Sequence, residues 1–268
     1  HAHIVPDVRM EKGNTKEAMI YFAHRQLADA HIYSIDNHKD EAEDNIFTFA
    51  AKGKYAQLWN TVTGERFSLP VLQTSDKTTS VKLYLHPRES YFIILTDREE
   101  QLPAISWFNP KDEVQTVEGD WLVYFDEKLG GPGYTKFETL EDWTTNADPR
   151  IKYYSGTAVY RKKVTIDVAN DRIFLQLGNP GFVAHVFINS QDAGIVWCSP
   201  WNIEITKYLI DGENDIEIHV SNSLMNRMIY DASLKENERI TYAYPMIASP
   251  DDKLEPSGLK QVELIRKR

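Results

Sequence analysis

Val81-Lys82-Leu83-Tyr84-Leu85-His86 alternates apolar and polar side chains one residue at a time. That is the period of a half-buried strand, whose successive side chains point to opposite faces of a sheet. Pro87-Arg88-Glu89-Ser90 turns the chain, and Tyr91-Phe92-Ile93-Ile94-Leu95 returns as a more continuously apolar, more deeply buried strand. Upstream, residues 18–23, 31–36, 45–50 and 55–59 read the same way, with a turn at Thr63-Gly64-Glu65. Short strands at this spacing predict a first β-sandwich over residues 1–97.

Downstream the pattern breaks. Residues 98–119 open within an acidic run, Asp97-Arg98-Glu99-Glu100, and contain Pro103 and Pro110. They read as a domain connection, and Ile105, Trp107 and Phe108 imply that it lies on a domain surface rather than forming a free tether. A second domain is predicted over residues 120–268. Its strands are expected at 121–125, 158–166, 172–177 and 182–188, followed by a hairpin around Asn189-Ser190-Gln191-Asp192. Ile203-Glu204-Ile205 precedes a helical turn, Asp215-Ile216-Glu217-Ile218-His219-Val220 alternates cleanly, and residues 261–265 close the chain. About eight strands in such a length suit a jelly-roll sandwich. The whole chain is predicted all-β, with almost no amphipathic helix. Gly130-Gly131-Pro132-Gly133 is not a phosphate loop, because no Lys-Ser/Thr and no helix pattern follow it.

Composition narrows the function classes. The 268 residues are 42% hydrophobic and 12% aromatic, enough for two cores, and 40 acidic against 30 basic residues give a net charge of -10. No basic stripe suits nucleic acid, and an anionic membrane surface is disfavoured for the same electrostatic reason. No apolar run approaches the ~20 residues of a membrane span. The single cysteine, Cys198, precludes an internal disulfide and reads as a packed thiol beside Trp197 and Pro200. The chain opens on His1 without a signal-peptide pattern and reads as part of a longer protein.

Three stretches of the second domain, residues 153–161, 186–197 and 205–218, resemble the galactose-binding-like sandwich of the β-galactosidase and β-glucuronidase superfamily. The whole chain more specifically resembles the C-terminal region of glycoside hydrolase family 106, the α-L-rhamnosidases. The resemblance is carried by Pro6-Asp7, His24-Arg25, Asp29-Ala30-His31-Ile32-Tyr33-Ser34-Ile35-Asp36-Asn37 and Leu58-Trp59-Asn60-Thr61-Val62-Thr63-Gly64-Glu65. Near the end, Asn226-Arg227-Met228-Ile229-Tyr230-Asp231 and Pro256-Ser257-Gly258-Leu259 fit the same pattern.

That resemblance implies a partner: a catalytic (β/α)8 barrel upstream in the same polypeptide. Glycoside hydrolysis uses two carboxyl groups flanking the scissile bond, and in this family they sit on the barrel. Such a barrel takes ~250 residues of alternating strand and helix, a pattern this chain lacks. No catalytic residue is therefore assigned. The expected role is a non-catalytic region of a periplasmic or extracellular enzyme of plant-polysaccharide breakdown. The alternative is an autonomous carbohydrate-binding module.

Candidate substrate-binding residues are His24 and Arg25, at the edge of the missing barrel, and the loop aromatics Trp143, Trp201 and Tyr242. The other reading of His24-Arg25 is a polar pair capping a strand. No cofactor is identified. Domains of the type resembled often hold a structural calcium, to which Asp142, Asp148 and Asp231 could contribute, although no calcium-loop spacing is present.

Overall fold

The computed structural model describes residues 6–105, 112–168, 171–241 and 247–267. The chain divides into two compact units, residues 1–109 and 110–268.

The first unit contains nine strands: β1 (Val8–Met10), β2 (Ile20–Gln26), β3 (Ala30–Asn37), β4 (Glu43–Phe49), β5 (Tyr55–Asn60), β6 (Arg66–Leu69), β7 (Val71–Thr74), β8 (Thr79–Leu85) and β9 (Ser90–Thr96). They form two antiparallel sheets, ordered β1-β4-β8-β7 and β2-β3-β9-β5-β6. The alternation that defined β8 is fully used: Val81, Leu83 and Leu85 are wholly buried while Lys82 points out. They meet Tyr33, Ile35, Phe47, Phe49, Leu58, Ile93 and Leu95 in one core between the sheets.

The second unit contains β10 (Glu113–Thr116), β11 (Trp121–Phe125), β12 (Gly133–Phe137), α1 (Pro149–Lys152), β13 (Thr157–Ile166), β14 (Arg172–Gln176), β15 (Val183–Ile188), β16 (Gln191–Val196), β17 (Asn202–Glu204), β18 (Gly212–Ser221), α2 (Met225–Ala232) and β19 (Glu263–Lys267). A six-stranded sheet, β12-β11-β13-β18-β15-β16, faces a four-stranded sheet, β10-β19-β14-β17. The β15–β16 hairpin turns through Asn189 and Ser190, both with positive φ (51° and 63°), the backbone that a two-residue turn between twisted strands requires. Between the sheets lies an aromatic group of Trp121, Phe125, Phe137, Trp143, Tyr154 and Tyr160.

Both described ends of the stretch 98–119 lie against a sheet. Ser68 donates its backbone N–H to the Pro103 carbonyl (2.8 Å), and Ile105 packs on the first core. The expected boundary at residue 119 lies beyond β10, which pairs with β19 and so belongs to the second unit's sheet. Trp107, Phe108 and Pro110 lie outside the described residues. A second difference is α2, a helix where strands and loops were expected. Its apolar stripe is only Met225, Met228 and Ile229, and Asn226, Arg227 and Asp231 are buried beside it, so the pattern is too short to read as a helix in the sequence.

Candidate functional site

The structure separates the residues that the sequence singled out. His24 lies on β2 opposite Tyr33, at the rim of the first core, and its ring stacks on Tyr33 with centroids 4.1 Å apart. Its Nε2 lies 3.0 Å from His31 Nδ1, and its Nδ1 lies 3.6 Å from the Asp7 carboxylate. Asp7, His24 and His31 thus run in a line through opposite nitrogens of His24. Such a chain can share a proton but does not converge on a metal ion. Burial, followed by the charge of His24, lowers the pKa of His31. Burial, with help from Asp7, raises that of the Tyr33 phenol, whose oxygen has no hydrogen-bond partner among the described residues. Arg25 is exposed and pairs with Ile32 on the other face of the sheet, so His24 and Arg25 do not form one site.

Trp143, expected exposed on a loop, is wholly buried. Its indole N–H donates to the Tyr160 hydroxyl (2.6 Å), and its ring meets Phe125 and Tyr154 edge-on. Gly258, at φ 88°, lies against it; a Cβ there would sit 2.2 Å from the indole nitrogen. No ring face of Trp143 is left for a sugar. Trp201 is half-buried against the second core, with φ 60°, its N–H bonded to the Cys198 carbonyl and its carbonyl accepting from Leu177. Tyr242 lies outside the described residues.

The calcium candidates do not fit a shared ion. Asp142 caps a 3-10 turn through Thr144, accepts from the Ser257 N–H and pairs with Lys260. Asp148 caps α1 and holds Arg150. Asp231 accepts from the Ile240 and Thr241 backbone and faces Arg227 at 2.8 Å. Burial would raise the Asp231 pKa, but the Thr241 hydrogen bonds and the Arg227 charge outweigh it and hold it low. Each carboxylate is engaged in local structure, although Asp231 Oδ1 faces Arg227 without a hydrogen bond among the described residues. The Asn226–Asp231 stretch holds the loop between α2 and β19 in place: the Asn226 side chain bonds both the N–H and the carbonyl of Glu255.

What the sequence reading missed is the outward face of the six-stranded sheet. Strand register sets two rows side by side across it. One runs Tyr134, Tyr124, Val159, His219, His185, Ile195; the next runs Lys136, Leu122, Arg161, Glu217, Phe187, Asp192. Glu217 accepts from Arg161 Nε (2.6 Å) and lies 2.6 Å from His219 Nε2, while His185 meets Asp192 at 2.8 Å. The Phe187 ring is flanked by His185 and His219, with centroids 4.2 and 5.0 Å away. A depression of about 550 Å³ lies on this face, lined by Leu122, Arg161, Lys163, Phe187, Ser190, Asp215 and Glu217 among others. Burial alone would raise the Glu217 pKa; the bonds from Arg161 and His219 outweigh it and keep the carboxylate ionised. A proton-donating carboxyl needs the opposite shift. Glu217 is therefore suited to accepting hydrogen bonds, and the groove to holding a polar ligand beside an aromatic ring. The signal was present as polar residues two apart on β13, β15 and β18, but which strands are neighbours cannot be read from their spacing.

Comparison with known proteins places this architecture. The α-L-rhamnosidase family model, glycoside hydrolase family 106, matches residues 1–70. A Formosa agariphila protein titled "Putative beta-glucuronidase" is 32% identical over 120 residues, covering 43% of this chain and 10% of that protein. The solved rhamnosidase from Novosphingobium sp. PP1Y superposes with a TM-score of 0.86 at 28% identity, over 98% of this chain and 25% of that one. The chain is thus glycoside-hydrolase-like and resembles α-L-rhamnosidases in sequence and fold. It spans a quarter of the solved rhamnosidase and a tenth of the curated relative.

Proposed function

We propose that this chain is a non-catalytic region of a secreted bacterial α-L-rhamnosidase-like enzyme acting on plant polysaccharide, and that it braces a catalytic (β/α)8 barrel elsewhere in the same polypeptide. The observation that carries this reading is the end-to-end likeness of the chain to one quarter of a solved rhamnosidase. Two antiparallel sandwiches supply compact, mostly β bodies beside such a barrel, and the ionised, cation-paired state of Glu217 suits a structural face. Among the described residues no helix is long and apolar enough to cross a membrane. The test is to delete these 268 residues from the full-length polypeptide. The melting temperature of the remaining catalytic part should fall while its substrate preference is kept. An unchanged melting temperature would contradict the bracing role.

The groove beside Phe187 favours a second reading, an autonomous carbohydrate-binding module with a galactose-binding-like second domain. Its charges already satisfy one another, so a sugar must compete with Arg161–Glu217 and His185–Asp192. Affinity for rhamnose, galactose or a rhamnogalacturonan oligosaccharide is therefore expected to be weaker than about 0.1 mM, roughly 5.5 kcal/mol of binding energy. Calorimetric binding tighter than this, lost on Phe187→Ala, would favour the module.

A further inference from the structure

The outward face of the five-stranded sheet is half covered and half bare. On β5 and β9 the outward positions Gln57, Ile94 and Thr96 are buried although they point away from the core; Ile94 is only 7% exposed. The residues after β9 cover them. The Glu100 carboxylate accepts from the Gln57 amide (3.2 Å) and pairs with Arg66 (2.8 Å), and Ser68 exchanges backbone hydrogen bonds with Pro103 and Ile105. Across β9 and β3 toward β2 this cover ends. There Phe92 is 41% exposed and Tyr21 is 56% exposed, with Ala23 and Arg25 exposed on the same face.

The strand that borders the bare half is itself open. β2 is the outermost strand of its sheet, and among the described strands none pairs with its outer edge. Met19, Phe22 and Leu27 are exposed along it as well. Proteins that keep an edge strand in water blunt it with charge, proline or a bulge; here Arg25 supplies charge only toward one end, and Tyr21, Phe22 and Ala23 leave the other end apolar. Exposed rings beside an unpaired edge, here with Asp36 and Ser34 between them on β3, mark a surface that another body covers.

We propose that β2 and the bare half of this face, centred on Tyr21 and Phe92, form the docking surface for the catalytic body of the same polypeptide. The inference rests on the reading of the chain as part of a larger rhamnosidase-like enzyme. Two comparisons select this occupant. Three quarters of the solved rhamnosidase lies outside the part that this chain matches. The α-L-rhamnosidase family model covers residues 1–70, which include β2 and β3. On the covered half a carboxylate meets an arginine and a glutamine amide. The docked surface should likewise place a carboxylate opposite Arg25, and apolar groups over Tyr21 and Phe92.

Hydrogen exchange tests this on the full-length enzyme and on the isolated 268-residue chain. Amides of residues 19–27 should exchange at least tenfold more slowly in the full-length enzyme, with peptides of the six-stranded sheet unchanged. Equal exchange in both proteins, or protection confined to the second unit, overturns the surface. Protection that grows with the concentration of the isolated chain points to a second copy and also overturns it. Tyr21→Ser with Phe92→Ser should leave the melting temperature of the isolated chain unchanged and lower that of the full-length enzyme; an unchanged full-length value counts against the proposal. A full-length polypeptide that does not hydrolyse α-L-rhamnosides refutes the functional reading itself, whereas an active enzyme with an unprotected β2 refutes only the surface.

Discussion

Each unit of this protein turns one broad sheet face outward, and both faces are built from strands of period two. On the five-stranded sheet the outward positions of β2, β3 and β9 include Tyr21, Ala23, Ser34 and Phe92. On the six-stranded sheet the corresponding positions of β13, β18 and β15 include Arg161, Lys163, Asp215, Glu217, His219, His185 and Phe187. Alternation decides which side chains leave the core; it does not decide what they meet. Arg161 pairs with Glu217 and His185 hydrogen-bonds Asp192, so the polar groups of that face largely meet one another, although Tyr134, Leu122 and Ile195 are exposed beside them. Tyr21, which meets the His38 ring, and Phe92 stay exposed on their own face, and exposed rings gain by being covered.

The inward positions set the upper end of the energetic scale against which these faces can be measured. Trp143→Ala removes a wholly buried ring and its bond to Tyr160, and should cost about 3–5 kcal/mol in urea unfolding of the second unit. Glu217→Gln, on the outward face of the same unit, should cost no more than about 1 kcal/mol, because the pair it breaks is partly solvated. A loss approaching that of Trp143→Ala would mean that the six-stranded face is not a solvated one. Tyr21→Ala or Phe92→Ala in the isolated chain should stay within about 0.5 kcal/mol, since both rings are largely exposed, Tyr21 resting on His38. A larger cost would show that these rings already support the first sandwich.

The two units should also differ in their response to acid. His31 has a pKa below its ordinary 6.5, so the unfolded chain binds its proton first. The first unit therefore loses stability as pH falls from 6.5 through the lowered value. Glu217 and Asp231 in the second unit are also held low, against ordinary values of 4.5 and 3.8. Their contributions persist until pH falls below those ordinary values, and are then lost. Scanning calorimetry from pH 7 to 3 should show the first unit softening earlier. His31→Gln should flatten the upper window and leave the lower one intact.

The all-β architecture was legible because residues such as Val81, Leu83, Leu85, Ile216, Ile218 and Val220 keep a strict period. Elements without that signature stayed hidden. β10 is exposed at all four positions and is a strand only because β19 lies beside it. β12 begins at Gly133, inside a glycine-rich stretch that reads as a loop. α2 buries polar residues. The site was less legible for the same reason. Trp143 looks like a loop aromatic until Tyr160 and Gly258, distant in sequence, close around it. The groove exists only through register across β11, β13, β18 and β15.

The central claim, that this chain resembles part of a rhamnosidase without performing its chemistry, is tested most directly by assaying the purified 268-residue chain with an aryl α-L-rhamnoside beside its full-length parent. The account predicts turnover by the parent and none by the chain. Turnover by the chain alone, abolished by substituting a single Asp or Glu within it, would contradict the account.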